Sequence, residues 1–139
     1  MTKYCNLSSY GYNGFIDYLS FLELGDDAAH VNWGDNWRMP TDAEWTELRT
    51  NCTWTWTTQN GVNGYRVTSN KTGYTEKSIF LPAAGWSLSA GGGTYGGYWA
   101  SSIPDYNPSS AFYTHFESGY FDYSSSDRCY GLSIRPVTE

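Results

Sequence analysis

The sequence predicts an α+β domain in which one or two helices come first and a series of short strands follows. Three observations predict it. Thr41-Asp-Ala-Glu44 is a helix-start signature placed directly after Pro40. From Cys52 onward Trp and Thr alternate, the pattern of a strand with one buried face. After that, short apolar runs are separated by clusters of Gly, Asn, Ser and Pro. At 139 residues the chain is one domain, residues 1–139, long enough to bury a core and free of internal repeats or low-complexity linkers.

The elements follow in order. Tyr12 to Leu24 fits two readings: Ile16, Leu19 and Leu22 have helical spacing, while the flanking Gly11 and Gly14 and the aromatic content also suit extended chain. A short helical piece is expected from Asp26 to Val31, capped by Asp26 or Asp27. The clearest helix runs from Thr41 to Asn51. The Thr41 hydroxyl can accept from the Glu44 amide while the Glu44 carboxylate accepts from the Thr41 amide. Asp42 and Glu44 suit the positive end of the helix dipole. Trp45, Leu48 and Cys52 then give one buried face. Gly61 to Gly64 reads as a turn and Tyr65 to Ser69 as a strand. Ser78 to Leu81 is a strand closed by Pro82, and Gly91 to Gly97 a flexible loop. Tyr98 to Ser101, Ala111 to Glu117 and Leu132 to Val137 complete the strands. The seven tryptophans are expected in the core or in scaffold packing.

Composition excludes several functions. Charged residues are only 16 % of the chain and the net charge is -6, with no Lys/Arg cluster, so nucleic acid and anionic membrane surfaces are poor partners. No apolar run is long enough to span a bilayer, so no membrane insertion is expected. The opening Met1-Thr-Lys-Tyr-Cys5 holds no apolar signal-peptide core: either the protein does not use that route or the chain is a fragment. The three cysteines, Cys5, Cys52 and Cys129, fit no zinc spacing, and a Cys5–Cys52 disulfide requires an oxidising compartment.

Catalytic signatures are missing too. There is no P-loop, no dinucleotide-binding glycine pattern and no HExxH. Asp26, Asp27 and Asp35 read as caps and turn residues rather than calcium ligands, and His30 as a surface or capping residue. His115 with Glu117 could do acid–base work, but no nucleophile or metal partner stands beside it, so it reads as a contact residue. No cofactor, no metal and no catalysis are expected.

The segment Ile103 to Leu132 differs from the rest. It is built almost entirely from Tyr, Ser, Asp, Asn, Phe, Gly and Pro. Tyr gives rigid contact area at low entropy cost, and Ser, Asn and Gly give adaptable hydrogen bonds, as in antibody paratopes. Alternation along Ala111 to Glu117 puts Phe112, Thr114 and Phe116 on a core face and Tyr113, His115 and Glu117 on a free one. Asp105, Tyr106, Asn107 and Ser109 belong to the preceding loop, stiffened by Pro104 and Pro108. Tyr120, Asp122 and Tyr123 are expected in the next loop, and Asp127 and Tyr130 just before the closing strand. These twelve residues are the candidate ligand-binding set, expected to converge on one patch. Arg135 is expected to pair with a scaffold carboxylate or carbonyl.

The run Asp26-Asp-Ala-Ala-His-Val-Asn-Trp-Gly-Asp-Asn-Trp-Arg-Met-Pro-Thr-Asp-Ala-Glu-Trp45 resembles the Fibrobacter succinogenes major paralogous domain. So do Phe80-Leu-Pro-Ala-Ala-Gly85, Gly97-Tyr-Trp-Ala-Ser-Ser102 and Gly131-Leu-Ser-Ile-Arg-Pro-Val137, so that the resemblance covers about Asp26 to Val137. Trp37 to Trp45 is also similar to the R-L-P-T-E-A-E-W signature of formylglycine-generating factors, which share a variant of the C-type lectin fold. The resemblance implies a C-type-lectin-like α+β domain with a mixed, twisted, mostly antiparallel set of short strands. Formylglycine generators use two closely spaced cysteines before the closing strand; only Cys129 stands there. Sugar-binding C-type lectins hold calcium through E-P-N or Q-P-D and W-N-D; Ile103-Pro-Asp105 is a partial echo and W-N-D is missing.

The chain resembles most in kind the variable proteins of diversity-generating retroelements, which carry a hypervariable C-terminal segment on this scaffold. Their variation at adenines turns Asn-type codons into codons ending in C or T, which cannot encode Lys, Glu, Gln, Met or Trp. One residue in 30 between Ile103 and Leu132 belongs to that set (Glu117), against 17 in 102 before it. The resemblance implies a receptor-binding or adhesion protein of a phage virion or bacterial surface, with 103–132 as its variable ligand-binding segment. The implied ligand is a protein or cell-surface structure; a carbohydrate-binding module is the alternative.

Overall fold

The computed structural model describes residues 1–86 and 92–138. Helix α1 spans Ala28–Trp33, α2 spans Asp42–Asn51, and single 3₁₀ turns occupy Tyr12–Gly14 and Leu24–Asp26. The strands are β1 (Trp37–Arg38), β2 (Cys52–Gln59), β3 (Val62–Ser69), β4 (Ser78–Pro82), β5 (Tyr95–Trp99), β6 (Ser110–Glu117), β7 (Tyr120–Asp127) and β8 (Val137–Thr138). They form three antiparallel sheets, β1-β8, β2-β3-β4 and β5-β6-β7. The molecule is α+β, with few helices and antiparallel sheets.

Each helix starts where its cap chemistry dictates. The Asp27 carboxylate accepts from the amides of Ala29 and His30 at the start of α1 and, through its other oxygen, from Met39 at 2.8 Å. One buried side chain therefore caps a helix and ties it to the strand leading into α2. At α2 the full capping box forms: Thr41 accepts from the Glu44 amide and Glu44 from the Thr41 amide. Arg38 adds a bidentate pair to the same Glu44 at 2.8 Å for both contacts. The Arg38 guanidinium lowers the Glu44 carboxyl to about 2, against the desolvation that would raise it.

The two three-stranded sheets and α2 enclose one core. Sheet β2-β3-β4 turns Trp54, Trp56, Tyr65, Val67, Ile79 and Leu81 inward. Sheet β5-β6-β7 answers with Tyr98, Phe112, Phe116 and Phe121, and α2 inserts Trp45 and Leu48. Trp54 stacks on Phe121 with ring centroids 4.7 Å apart, and Tyr65 meets Phe116 edge-on at 5.4 Å. Gly96 is required here: a Cβ at that position would fall on the Phe116 ring. Burying a ring of this size is worth about 2–3 kcal/mol of hydrophobic free energy.

Several expectations change. Tyr12 to Leu24 is neither a regular helix nor a strand; a bridge from Phe21 to Ser102 and backbone hydrogen bonds to Cys5, Ser101 and Ile103 hold it. The β2–β3 turn is Asn60-Gly61, both at positive φ, with Gly64 inside β3, because Asn-Gly suits the tight hairpin twist better than Gly61–Gly64. Strand β5 begins at Tyr95, inside the expected flexible loop, since Gly96 and Gly97 lie opposite Phe116 and His115; Gly91 of that loop lies outside the described residues. The closing strand shrinks to Val137–Thr138, with Ser133 making a lone parallel bridge to Tyr98. Trp33 and Trp37 are not core: they meet edge-on at 5.2 Å on the surface, Trp33 with 56 % of its area exposed. All three cysteines are free thiols, so no Cys5–Cys52 bridge forms.

Candidate functional site

The outward face of β5-β6-β7 is the candidate site. Antiparallel register builds it in rows: Trp99–Tyr113–Ser124, then Gly97–His115–Asp122, then Tyr95–Glu117–Tyr120. Period-2 alternation puts all of these on the side away from Phe116. Gly97 matters because a side chain there would crowd Leu132 at 3.1 Å and the Tyr95 ring at 3.3 Å. Its hydrogen lets the Tyr95 ring fold across the strand toward His115.

The rings form a continuous strip. Trp99 meets Tyr113 edge-on at 5.9 Å, Tyr113 stacks on His115 at 5.1 Å, and His115 stacks on Tyr95 at 6.0 Å. Tyr120 tilts against His115 at 5.7 Å, and Trp86 links Tyr95 to Tyr130 at 5.6 and 5.7 Å. Aromatic surface of this extent, with hydroxyls at its rim, suits ligands that combine apolar area with hydrogen bonds.

The strip is uncharged at its centre. Burial pushes the His115 imidazole below its ordinary value, against the opposite pull of Asp122 and Glu117. Burial, reinforced by Tyr113, pushes the Tyr95 hydroxyl up. Negative charge stands at the margin. The Asp122 carboxyl is held low, first by the Tyr123 amide and then by the Tyr120 hydroxyl at 3.0 Å. Because β7 is an edge strand, Asp122 also reaches Arg49 of α2 at 2.9 Å.

Six of the twelve expected residues meet on or beside this strip: Tyr113, His115, Glu117, Tyr120, Asp122 and Tyr130. The other six do not join it. Tyr120, Asp122, Tyr123 and Asp127 lie in a regular strand, not in loops, because Ser118-Gly119 closes a two-residue hairpin with Gly119 at positive φ. Tyr123 consequently points to the opposite face and stacks on Phe112 at 5.0 Å. Tyr106 reaches Ser125, whose strand position also belongs to that opposite face, at 3.1 Å. Asn107 accepts from the Ser109 amide and hydroxyl and donates to the Ser110 hydroxyl, so the pair shapes the loop over the buried Pro104 and Pro108. Asp105 is exposed in that loop, and Asp127 ends β7. Tyr113 keeps only 9 % of its area, so it supports the strip more than it contacts a ligand; Tyr120, at 46 %, is its open ring.

Sequence alone places Trp86 and Trp99 in the core or scaffold packing and Tyr95 in the Gly91 to Gly97 loop. The alternation of Tyr95 and Trp99 about Gly97 is the available signal, but only pairing with β6 gives it meaning. A cavity of about 230 Å³ adjoins the Trp99 end, lined also by Ile103, Ala111, Ile134 and Arg128. Burial lowers the pKa of the Arg128 guanidinium, which donates to the Met1 sulfur. Among the described residues no three His, Cys, Asp or Glu side chains group as metal ligands, and no helix is long and apolar enough to cross a membrane.

Comparison with known proteins adds no relative: no family model, no curated protein and no solved structure matches the chain.

Proposed function

We propose that this chain is a ligand-binding display domain on a C-type-lectin-like scaffold, with a diversified surface supplied by residues 103–132. It acts in receptor binding or adhesion at a phage or bacterial surface, without catalysis and without a cofactor. The single observation that carries the reading is the aromatic strip. Tyr113, His115, Tyr120 and Tyr130 come from the residue-skewed segment, while Trp86, Tyr95 and Trp99 come from outside it. A fixed aromatic floor with replaceable rings on it is a sound basis for changing specificity without refolding. Tyr-rich anchors of this kind concentrate binding energy at protein interfaces.

Sequencing the coding locus from many related isolates tests diversification. The expected result is substitution confined to Asn-type codons between Ile103 and Leu132, beside a near-identical template copy. Substitutions spread evenly along the chain would overturn it.

The ring strip also favours a second reading, a carbohydrate-binding module, because sugar rings stack on aromatic faces. A glycan array with and without calcium separates the two. Saturable binding to a defined glycan, lost in Tyr120→Ala, would establish the sugar reading; binding only to a protein or to intact cells would establish the first.

A further inference from the structure

A cavity of about 650 Å³ opens along α2 and shares no residue with the aromatic strip. Its volume falls in the range of small-molecule sites. Trp45 and Leu48 of α2, Ile79 of the edge strand β4, and Pro136 and Val137 line it. Two ties hold the walls in place. The β1-β8 pairing keeps Val137 beside Arg38, just ahead of α2. The Asn70 amide donates to the Asn51 carbonyl at 3.1 Å, fixing the β3–β4 turn to the end of α2. These residues supply an apolar surface, and Thr50, Asn51, Ser69 and Asn70 add polar groups beside it.

The charges at the cavity are unequal. Glu44 lines it, but Arg38 and the Thr41 cap already occupy its carboxylate. Glu47 stands at the exposed rim. Arg135 is half-buried in the wall, and none of the ion pairs or hydrogen bonds among the described residues involves its side chain. That corrects the expectation of a scaffold partner for it. The chain has 14 acidic residues to 8 basic ones, yet no carboxylate among the described residues pairs with this half-buried arginine. Its five donors match a planar or trigonal anion. Lys71 lines the opposite end, near the Asn51 end of α2, where its ammonium lies over the Tyr74 ring.

We propose that this cavity is a second binding site, independent of the aromatic strip, for a small amphipathic anion. The apolar body of the ligand lies between Trp45, Leu48, Ile79 and Pro136, and its single carboxylate or sulfonate takes the free donors of Arg135.

The probe is 1-anilinonaphthalene-8-sulfonate, with uncharged N-phenyl-1-naphthylamine as its control. Cys129→Ser is the background, because Cys5 is buried and Cys52 lines the cavity as a thiol reporter. Saturable sulfonate binding at one site per chain is expected, and saturation slows alkylation of Cys52. Arg135→Gln weakens the sulfonate about tenfold, the value of one lost charged hydrogen bond, and leaves the uncharged probe within about twofold. Arg135→Lys, which keeps charge but not the fork, falls between. Tyr120→Ala leaves both probes unchanged. Unaltered sulfonate affinity in Arg135→Gln, loss of binding in Tyr120→Ala, or a Cys52 alkylation rate indifferent to the probe each overturns the proposal. The Cys52 readout needs no substitution at Arg135, so a poorly folding variant does not remove the test.

Discussion

The two faces of sheet β5-β6-β7 are made from the same strands and much the same residues, yet they do different work. The inner face holds Tyr98, Phe112, Phe116 and Phe121; the outer face holds Tyr95, Trp99, Tyr113 and Tyr120. Both are aromatic. The difference is the cover: α2 and sheet β2-β3-β4 close the first, while Trp86, Tyr130 and Leu132 from neighbouring loops meet part of the second and leave Tyr120 open. Aromatic content therefore does not mark a core. What marks it is whether a helix or a second sheet closes over the rings, and the outer rings are met by loop side chains instead.

The largest expected effect tests the closed face. Phe116 is fully buried and touches rings from both sheets. Phe116→Ala should lower unfolding stability by about 4 kcal/mol, read from urea denaturation. A loss under about 1 kcal/mol would mean that the two sheets do not share this core. Gly96→Ala comes next. Its methyl would fall on the same ring, forcing the sheet or Phe116 to move, at a cost of about 2 kcal/mol in the same assay.

These two residues also show what was legible in advance. The alternation of Phe112, Thr114 and Phe116 declared the inner face of β6, and Thr41 with Glu44 declared α2, because both signals are local. The partner of β6 was not legible. Strand β7 reads Tyr-Phe-Asp-Tyr-Ser-Ser-Ser-Asp, and its serines carry little strand propensity. It becomes a strand because Ser118-Gly119 turns it onto β6. For the same reason the expected patch split in two. A one-residue difference in strand position sends Asp122 and Tyr123 to opposite faces, and loop assignments carry no such parity. Sequence alone places Trp99 in scaffold packing, and its half-buried place on the strip is visible only once β5 is paired.

The cover itself has a pH dependence. Glu44 fixes the start of α2, and its folded carboxyl sits near 2, below the unfolded value of about 4.3. A depressed acid stabilises the fold above its unfolded pKa, and that contribution disappears as pH falls from about 4.3 toward 2. The group is partly exposed, so the effect is on the order of 1 kcal/mol after solvent screening. Glu44→Gln should remove this part of the acid limb of a stability-versus-pH curve. An unchanged acid limb would place the sensitivity elsewhere.

Gly97→Ala makes the sharper contrast, since Gly97 follows Gly96 but faces the open side. Its methyl would press the ends of the half-buried Leu132 and Tyr95 side chains at 3.1 and 3.3 Å, contacts that a shift of a few tenths of an ångström relieves. Stability should change by no more than about 0.5 kcal/mol. A cost equal to that of Gly96→Ala would mean the strip is as rigidly packed as the core, and the distinction between the faces would fail.

Tyr120→Ala carries the smallest effect on stability and the largest on binding. Its ring is open, its hydroxyl reaches only Asp122, and its edge strand pairs through backbone groups that the substitution leaves in place. The urea midpoint should not move. Attachment of the labelled domain to the surface it recognises should fall, because a half-exposed tyrosine at the open edge of a ring strip is a ready binding anchor. Tyr120→Phe separates the two parts of that contact. It keeps the ring and removes the hydroxyl that binds Asp122, so attachment retained in Tyr120→Phe assigns recognition to the aromatic face. Attachment lost in both variants assigns it to the hydroxyl–carboxylate pair. A midpoint shift in Tyr120→Ala would instead show that this tyrosine is structural and that the outer face, like the inner one, is built chiefly to hold the sheet together.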